Sequence, residues 1–302
     1  MSAAWWAAPL AIFAAGFLFV LWMVRGGHGL RAAVALVRRR LQVYWSYRYA
    51  VYASIARSAL LLVLLLTIGP LVMRFIIAGL VPRDWGLTDT EILLIGIVAW
   101  PVVWEGYEVA HRNIRTEQFT GIFEVLIPTP MGIGVLPAAY LLLTLLASFL
   151  AAFVTFPIIL YAFDDVSFQL TLPMALTTAS ILLTAMFMTW GLGLAFGGLA
   201  TVVKEIGPVS DLMKLVFLAL CGAYIPLALF PDWAQAISAA LPLTPVFDAL
   251  HGAFAGATFE DPELVAVYAR LLAWTVALVA LGLWGYRALL DRARRMGTVY
   301  GY

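Results

Sequence analysis

The chain has 302 residues, of which 64% are hydrophobic and only 12% charged, and its mean hydropathy is +0.98. A soluble domain carries about a quarter charged residues, so this composition excludes one and points to an all-α polytopic membrane protein; the alternating ten-residue segments of a membrane β-barrel are absent. The net charge of +1 implies no nucleic-acid partner, and the single cysteine, Cys221, excludes a disulfide or cysteine metal cluster within one chain.

The first apolar segment runs from Trp5 to Val24. No basic residue precedes it and Arg25 follows it, the reverse of a cleaved signal peptide. It predicts an additional N-terminal transmembrane helix over 1–24, with the N-terminus outside; a signal anchor is the alternative. Residues 25–57 then place Arg31, Arg38, Arg39, Arg40 and Arg48 among Leu30, Val34, Val37, Leu41 and Trp45 at approximate helical spacing. An arginine-rich face beside a Trp, Leu and Val face predicts a helix lying in the cytoplasmic membrane interface against lipid.

Six further spans are predicted at about 58–80, 91–110, 134–162, 173–202, 212–230 and 264–287, followed by a cytoplasmic tail at 296–302. With 25–57 in the cytoplasm, all of the 18 basic residues except Arg74, Arg83 and Arg270 fall on or near the cytoplasmic side. That asymmetry sets the orientation and leaves the C-terminus inside. One stretch breaks the pattern of full spans. Residues 225–256 hold apolar pieces too short to cross, interrupted by Pro226, Pro231, Pro242 and Pro245. They predict two short re-entrant helices on the outer side, buried against protein.

Several chemistries are missing. Neither Lys204 nor Lys214 sits in a phosphate-binding loop. His28, His111 and His251 form no H-E-x-x-H, and no G-x-S-x-G elbow occurs. The chain is therefore expected to be no enzyme and to hold no cofactor of its own. Glu105 and Glu108, three residues apart near the end of the 91–110 span, are the candidate intramembrane charges. Such carboxylates serve as proton relays or cation contacts; pairing with Arg112 or with the basic helix around Arg48 is the structural alternative.

Between the second and third of these six spans lies 119-FTGIFEVLIPTP-130, within a predicted short cytoplasmic helix over about 113–128. Gly121, Ile122, Phe123, Glu124, Leu126, Thr129 and Pro130 follow the pattern G-[TI]-[LF]-E-x-L-x-x-[TS]-P in register. Further on stand Pro226, Phe230, Pro231, Trp233 and Gln235, then Pro242, Leu243, Thr244 and Pro245, then Asp248, Ala249 and Gly256. With these motifs in this order, residues 30–295 resemble the membrane subunit of an ABC-2 type exporter. The extra span at 5–24, and His251 where an arginine is common, depart from that pattern.

The resemblance implies a six-helix, type V exporter-like ABC-2 core over 58–295, with an amphipathic interface helix, a cytoplasmic coupling helix and extracellular re-entrant helices. It implies a permease in a bacterial or archaeal plasma membrane that dimerises, most simply with an identical chain. ATP and Mg would be bound by a separate nucleotide-binding subunit. Gly121, Phe123, Glu124, Leu126, Thr129 and Pro130 would couple to that ATPase, Arg38, Arg39, Arg40 and Trp45 would belong to the interface helix, and Pro231, Trp233, Pro242, Pro245 and Asp248 to an outer gate. The implied cargo is amphipathic or hydrophobic: a drug or antibiotic, a lipid, or a lipid-linked glycan. Two other classes remain open from the residues: a proton-coupled secondary transporter using Glu105 and Glu108, and a non-transporting membrane scaffold.

Overall fold

Glycine decides how closely the long helices approach one another. In the computed structural model, which describes residues 7–24, 29–47, 49, 67, 87, 89–119, 134–162, 171–203, 206–225 and 227–296, the central helix is α5, Leu172–Ala200. Its neighbours in chain order are α1 (Ala7–Met23), α2 (Gly29–Ser46), α3 (Asp89–Phe119) and α4 (Val135–Ala162). After it come α6 (Gly207–Leu220), α7 (Asp232–Ala239), α8 (Thr244–Phe254) and α9 (Pro262–Met296). Among the described residues there is no strand, and four helices have stretches long and apolar enough to cross a membrane: Glu91–Glu117, Val135–Ala152, Leu172–Ala200 and Pro262–Ala293.

α5 begins cleanly, with Thr171 capping the Met174 amide and Pro at the first turn. It is then sandwiched between α3 and α9. The run 191-GLGLAFGG-198 serves both sides. Gly193 and Gly197 face Tyr107 and Ile114 of α3, while Gly191 and Gly198 face Val279 and Tyr286 of α9. A Cβ on Gly191 would stand 2.6 Å from the Val279 nitrogen, and one on Gly282 would collide with the Gly191 carbonyl. Lipid tails are as apolar as leucine, so van der Waals contact through small residues is what holds such helices together. Hydroxyls reinforce the contacts. Thr189 donates to the Val103 carbonyl of α3 at 2.7 Å, and Thr184 shares a hydrogen with Tyr268 of α9 at 2.6 Å.

α1, read from sequence as the additional span, is a 17-residue helix. It lies on α5 and α4, with Gly16 against Phe187 and Phe19 edge-on to Phe187 and Trp190. α2 lies on α4 through buried Ala33 and Leu36. Its stripe residues Val34, Leu41 and Trp45 stay exposed, Trp45 at 78%.

Three elements differ from their predicted bounds. The 91–110 span continues unbroken to Phe119, so the polar run from His111 is helix, with His111, Asn113 and Glu117 buried. Pro101 lies inside α3 without ending it, a tolerance common where neighbouring helices meet the freed backbone groups. The apolar run 212–230 is not one span. Its helix stops at Leu220 after 14 residues, about 21 Å, short of the ~30 Å of a hydrocarbon core. The chain then bends through Cys221–Ile225, where Gly222 takes φ 79°, a conformation that breaks a helix and suits glycine alone. A 3-10 turn at Leu227–Leu229 and the short α7 and α8 follow. α9 is longer than predicted, reaching Met296. Apart from Thr67, the predicted 58–80 span lies outside the described residues, as does 297–302.

Gly282→Val is expected to prevent folding, seen as loss of monodisperse protein in detergent, while Gly285→Val one turn on, where an added Cβ meets nothing within 4 Å, keeps a near-native elution profile.

Candidate functional site

The predicted coupling residues Gly121, Phe123, Glu124, Leu126, Thr129 and Pro130 lie outside the described residues. What the structure shows is the helix that leads into them. The last turns of α3 carry Asn113 and Glu117, one helical turn apart and on one face. Val109, Ala110 and Ile114 beside them are buried, which turns this face inward. Glu117 is 2% exposed. An ionised carboxylate at that depth must be paired, and both of its oxygens are engaged. Tyr140 of α4 donates to Oε1 at 2.5 Å, and Arg39 of α2 donates to Oε2 through two nitrogens at 3.3 and 3.4 Å.

Arg40 completes the junction. It donates to Asn113 Oδ1 at 3.0 Å and lies 5.2 Å from the centre of the Tyr140 ring, within cation–π range. Two adjacent arginines of α2 thus hold two positions of α3 and one tyrosine of α4. The sequence reading had placed Arg39 and Arg40 on a polar face toward the membrane interface. The structure turns them to protein, while Arg38 is exposed and Trp45 points outward. Glu117, Asn113 and Tyr140 were not singled out from sequence, because the first two sit in the predicted short helix over 113–128 with no local sign of a partner and Tyr140 lies in an apolar span. The signal that would have found them is the helical spacing of Asn113 and Glu117 with Ala110 and Ile114.

Glu105 and Glu108 fall on the side of α3 toward α6. Arg112 Nη2 stands 3.4 Å from Glu105 and its Nη1 3.9 Å from Glu108. Lys214 of α6 stands 3.9 Å from Glu108 and 5.8 Å over the Trp104 ring, and Trp104 donates to Glu108 at 3.2 Å. Of the two pairings weighed from sequence, the structure displays the one with Arg112; Arg48 lies outside the described residues. Behind these charges runs a column of buried rings on α3. Trp100 stacks on Trp104 at 5.4 Å, Trp104 meets Tyr107 at 4.7 Å, and Tyr107 stacks on His111 at 5.4 Å. α6 covers part of it with Phe217 and with Ser210, which accepts from Tyr107 at 2.7 Å. At its other end Trp100 stacks on Phe247 of α8.

The residues expected at an outer gate are only partly brought together. Pro231 precedes α7 in extended conformation, and Pro245 sits buried in the first turn of α8, near Pro242 and Asp248. Trp233 faces away, 66% exposed. The tie between the two short helices joins Thr244 of the motif to Ser238, which was not singled out from sequence: Thr244 donates to the Ser238 carbonyl, and Ser238 in turn donates to the Leu220 carbonyl at the end of α6 at 2.6 Å. Burial pushes the Asp248 carboxyl up to about 6, against the opposing pull of Arg270. Among the described residues no group of three or more metal-ligating side chains is assembled.

Glu117→Ala would leave the buried Tyr140 hydroxyl without its acceptor, at a cost of roughly 1–3 kcal/mol. Thermal unfolding of the purified protein should show that loss, with Arg39→Gln adding little on top of it. For Asp248, a folded value raised above the ordinary 3.8 means that the neutral acid is favoured. Its contribution to stability is complete below pH ~4 and is lost as pH rises through about 6. Asp248→Asn is therefore expected to flatten the melting temperature between pH 4 and 7 and to raise it most at pH 7.

No curated protein matches the chain. Residues 31–255 match the family model described as ABC-2 type transporter. This range runs from the second residue after the start of α2 to the residue after α8, and takes in the Arg39–Glu117–Tyr140 junction, the ring column and both short helices. A multi-pass membrane protein whose motifs and matched region agree in this way belongs to the ABC-2 type transporter family, as a transport permease and not itself an ATPase.

Proposed function

We propose that this chain is the membrane subunit of an ATP-driven exporter, working as a dimer with a separate nucleotide-binding subunit. The observation that carries the reading is α3 itself, which runs without a break from its apolar stretch to Phe119, two residues before the stretch of sequence holding Gly121, Phe123, Glu124, Leu126, Thr129 and Pro130. A stiff helix entering the docking segment suits a lever. Movement of an ATPase against 121–130 would be delivered to the end of α3, and the buried Glu117 junction would pass it to α2 and α4. Glu124 would meet a basic residue on the ATPase, a contact that sets register more than affinity.

The distribution of basic residues supports an N-terminus outside and a C-terminus in the cytoplasm of a bacterial or archaeal plasma membrane. α2 would then lie at the cytoplasmic interface, its exposed Val34, Leu41 and Trp45 against lipid and its Arg39 and Arg40 against protein. ATP and Mg would be held by the partner. The cargo class that fits is amphipathic or hydrophobic, because the exposed surfaces of the long helices are apolar and the charged groups Glu105 and Glu108 are already engaged by Arg112 and Lys214. That engagement also favours ATP drive over proton carriage by these two carboxylates.

The test is purification of the tagged chain from its native membrane with identification of whatever ATPase copurifies, followed by transport in vesicles. A P-loop subunit should come down with the wild-type chain and be lost with Glu124→Arg, while the permease itself remains folded. Export that follows a proton gradient without ATP, and that fails in Glu108→Gln, would overturn the proposal.

A further inference from the structure

α1 leaves a gap. It rests on α5 and α4, and between it and α9 runs a groove of about 610 Å³ floored by Leu183, Thr184 and Phe187 of α5. One wall is α1 from Ala11 to Trp22 and the other is α9 from Leu272 to Leu283. Each wall is 12 residues long, about 16 Å. The lining is apolar except for two threonine hydroxyls, and both of these are hydrogen-bonded within the protein. Thr184 bonds Ser180 and Tyr268, and Thr275 donates to the Leu271 carbonyl at 2.8 Å. The groove therefore offers a polar ligand little, and its α5 floor and α9 wall belong to helices long and apolar enough to cross a membrane.

A volume of about 610 Å³ falls within the ~300–1,000 Å³ of small-ligand sites, room for a single hydrocarbon chain. Charge adds a second pointer. On α9 the lining positions Val276, Ala280 and Leu283 continue one turn further to Arg287, which is exposed and lies on the same helical face. An apolar slot that ends at an exposed arginine, toward the end of the helix carrying Arg292 and Arg295, is complementary to an amphiphile with a negative headgroup. α1 and α9 both lie outside residues 31–255, while the floor of the groove on α5 lies within them.

We infer that this groove binds one anionic phospholipid of the surrounding membrane, with an acyl chain between α1 and α9 and its phosphate at Arg287. The ligand staples the additional N-terminal helix to the last span.

The test uses the full chain, purified in detergent and incubated with phosphatidylglycerol or with phosphatidylcholine of the same acyl chains, with retained lipid counted by native mass spectrometry. Wild type should hold one phosphatidylglycerol. Ala280→Phe, which fills the slot, should retain about tenfold less of both lipids at an unchanged elution volume. Arg287→Gln should lower phosphatidylglycerol retention about fivefold, the worth of one basic residue beside an anionic surface, and leave phosphatidylcholine unchanged. If Ala280→Phe does not fold, Ala15→Phe on the opposite wall carries the same expectation. Equal retention by wild type and a folded slot-filling variant would overturn the inference. So would a crosslink from Val276 to a copurifying polypeptide or to exported cargo in place of lipid.

Discussion

The close contact of α5 with α3 and α9 is the constraint on which the rest of the structure depends. In water a bundle is held by burying apolar surface; in lipid that gain vanishes, and contact between backbones has to replace it. Gly191 against Gly282 on one side, and Gly193 with Gly106 on the other, let three long helices touch where any side chain would hold them apart. Threonines 184 and 189 add hydrogen bonds across the same two seams. Everything peripheral leans on this three-helix slab: α1 on its α5 surface, α8 against α5 and α9, and α2 on α4, which is itself packed on α3.

The slab also explains where charge can be kept. Glu117 is buried, and three helices meet around it to satisfy both of its oxygens, which offsets the cost of taking its charge out of water. Removing one partner would be more damaging than the pair is stabilising, because it leaves a buried group unsatisfied where α2, α3 and α4 meet. Glu105 and Glu108 lie in a different setting, with side chains 36% and 25% exposed beside the more open Arg112 and Lys214. Pairs this open to solvent contribute little to stability. They suit a loose hold of α6 near the ring column, in keeping with its sparse packing on the other described helices.

The sequence reading was reliable where a local pattern carries the information. The ends of α5, the start of α9 and two short helices between prolines at 231–254 were all legible to within a few residues, because hydropathy and the prolines act locally. It failed at α3 beyond residue 110 and at the break after Leu220. The helix predicted over 113–128 was set apart from the 91–110 span, because the polar run 111-HRNIRTEQF-119 ends the apolar stretch and nothing local shows that one helix continues through it. The apolar run 212–230 conceals a backbone turn at Gly222 that an averaged hydropathy does not register.

From sequence alone came the membrane class, the helical periodicity, the lack of an ATP-binding loop in the chain and the motif residues from Gly121 to Pro130. Each rests on composition or on spacing along the chain. Only the tertiary structure decided that Arg39 and Arg40 turn to protein and not to lipid, since their partners lie 78 and 73 residues away. It likewise decided that the glycines at 191–198 serve two opposite neighbours, and that α1 stands off from α9 to leave a groove. Those outcomes follow from which surfaces meet, and no pattern within one helix specifies that.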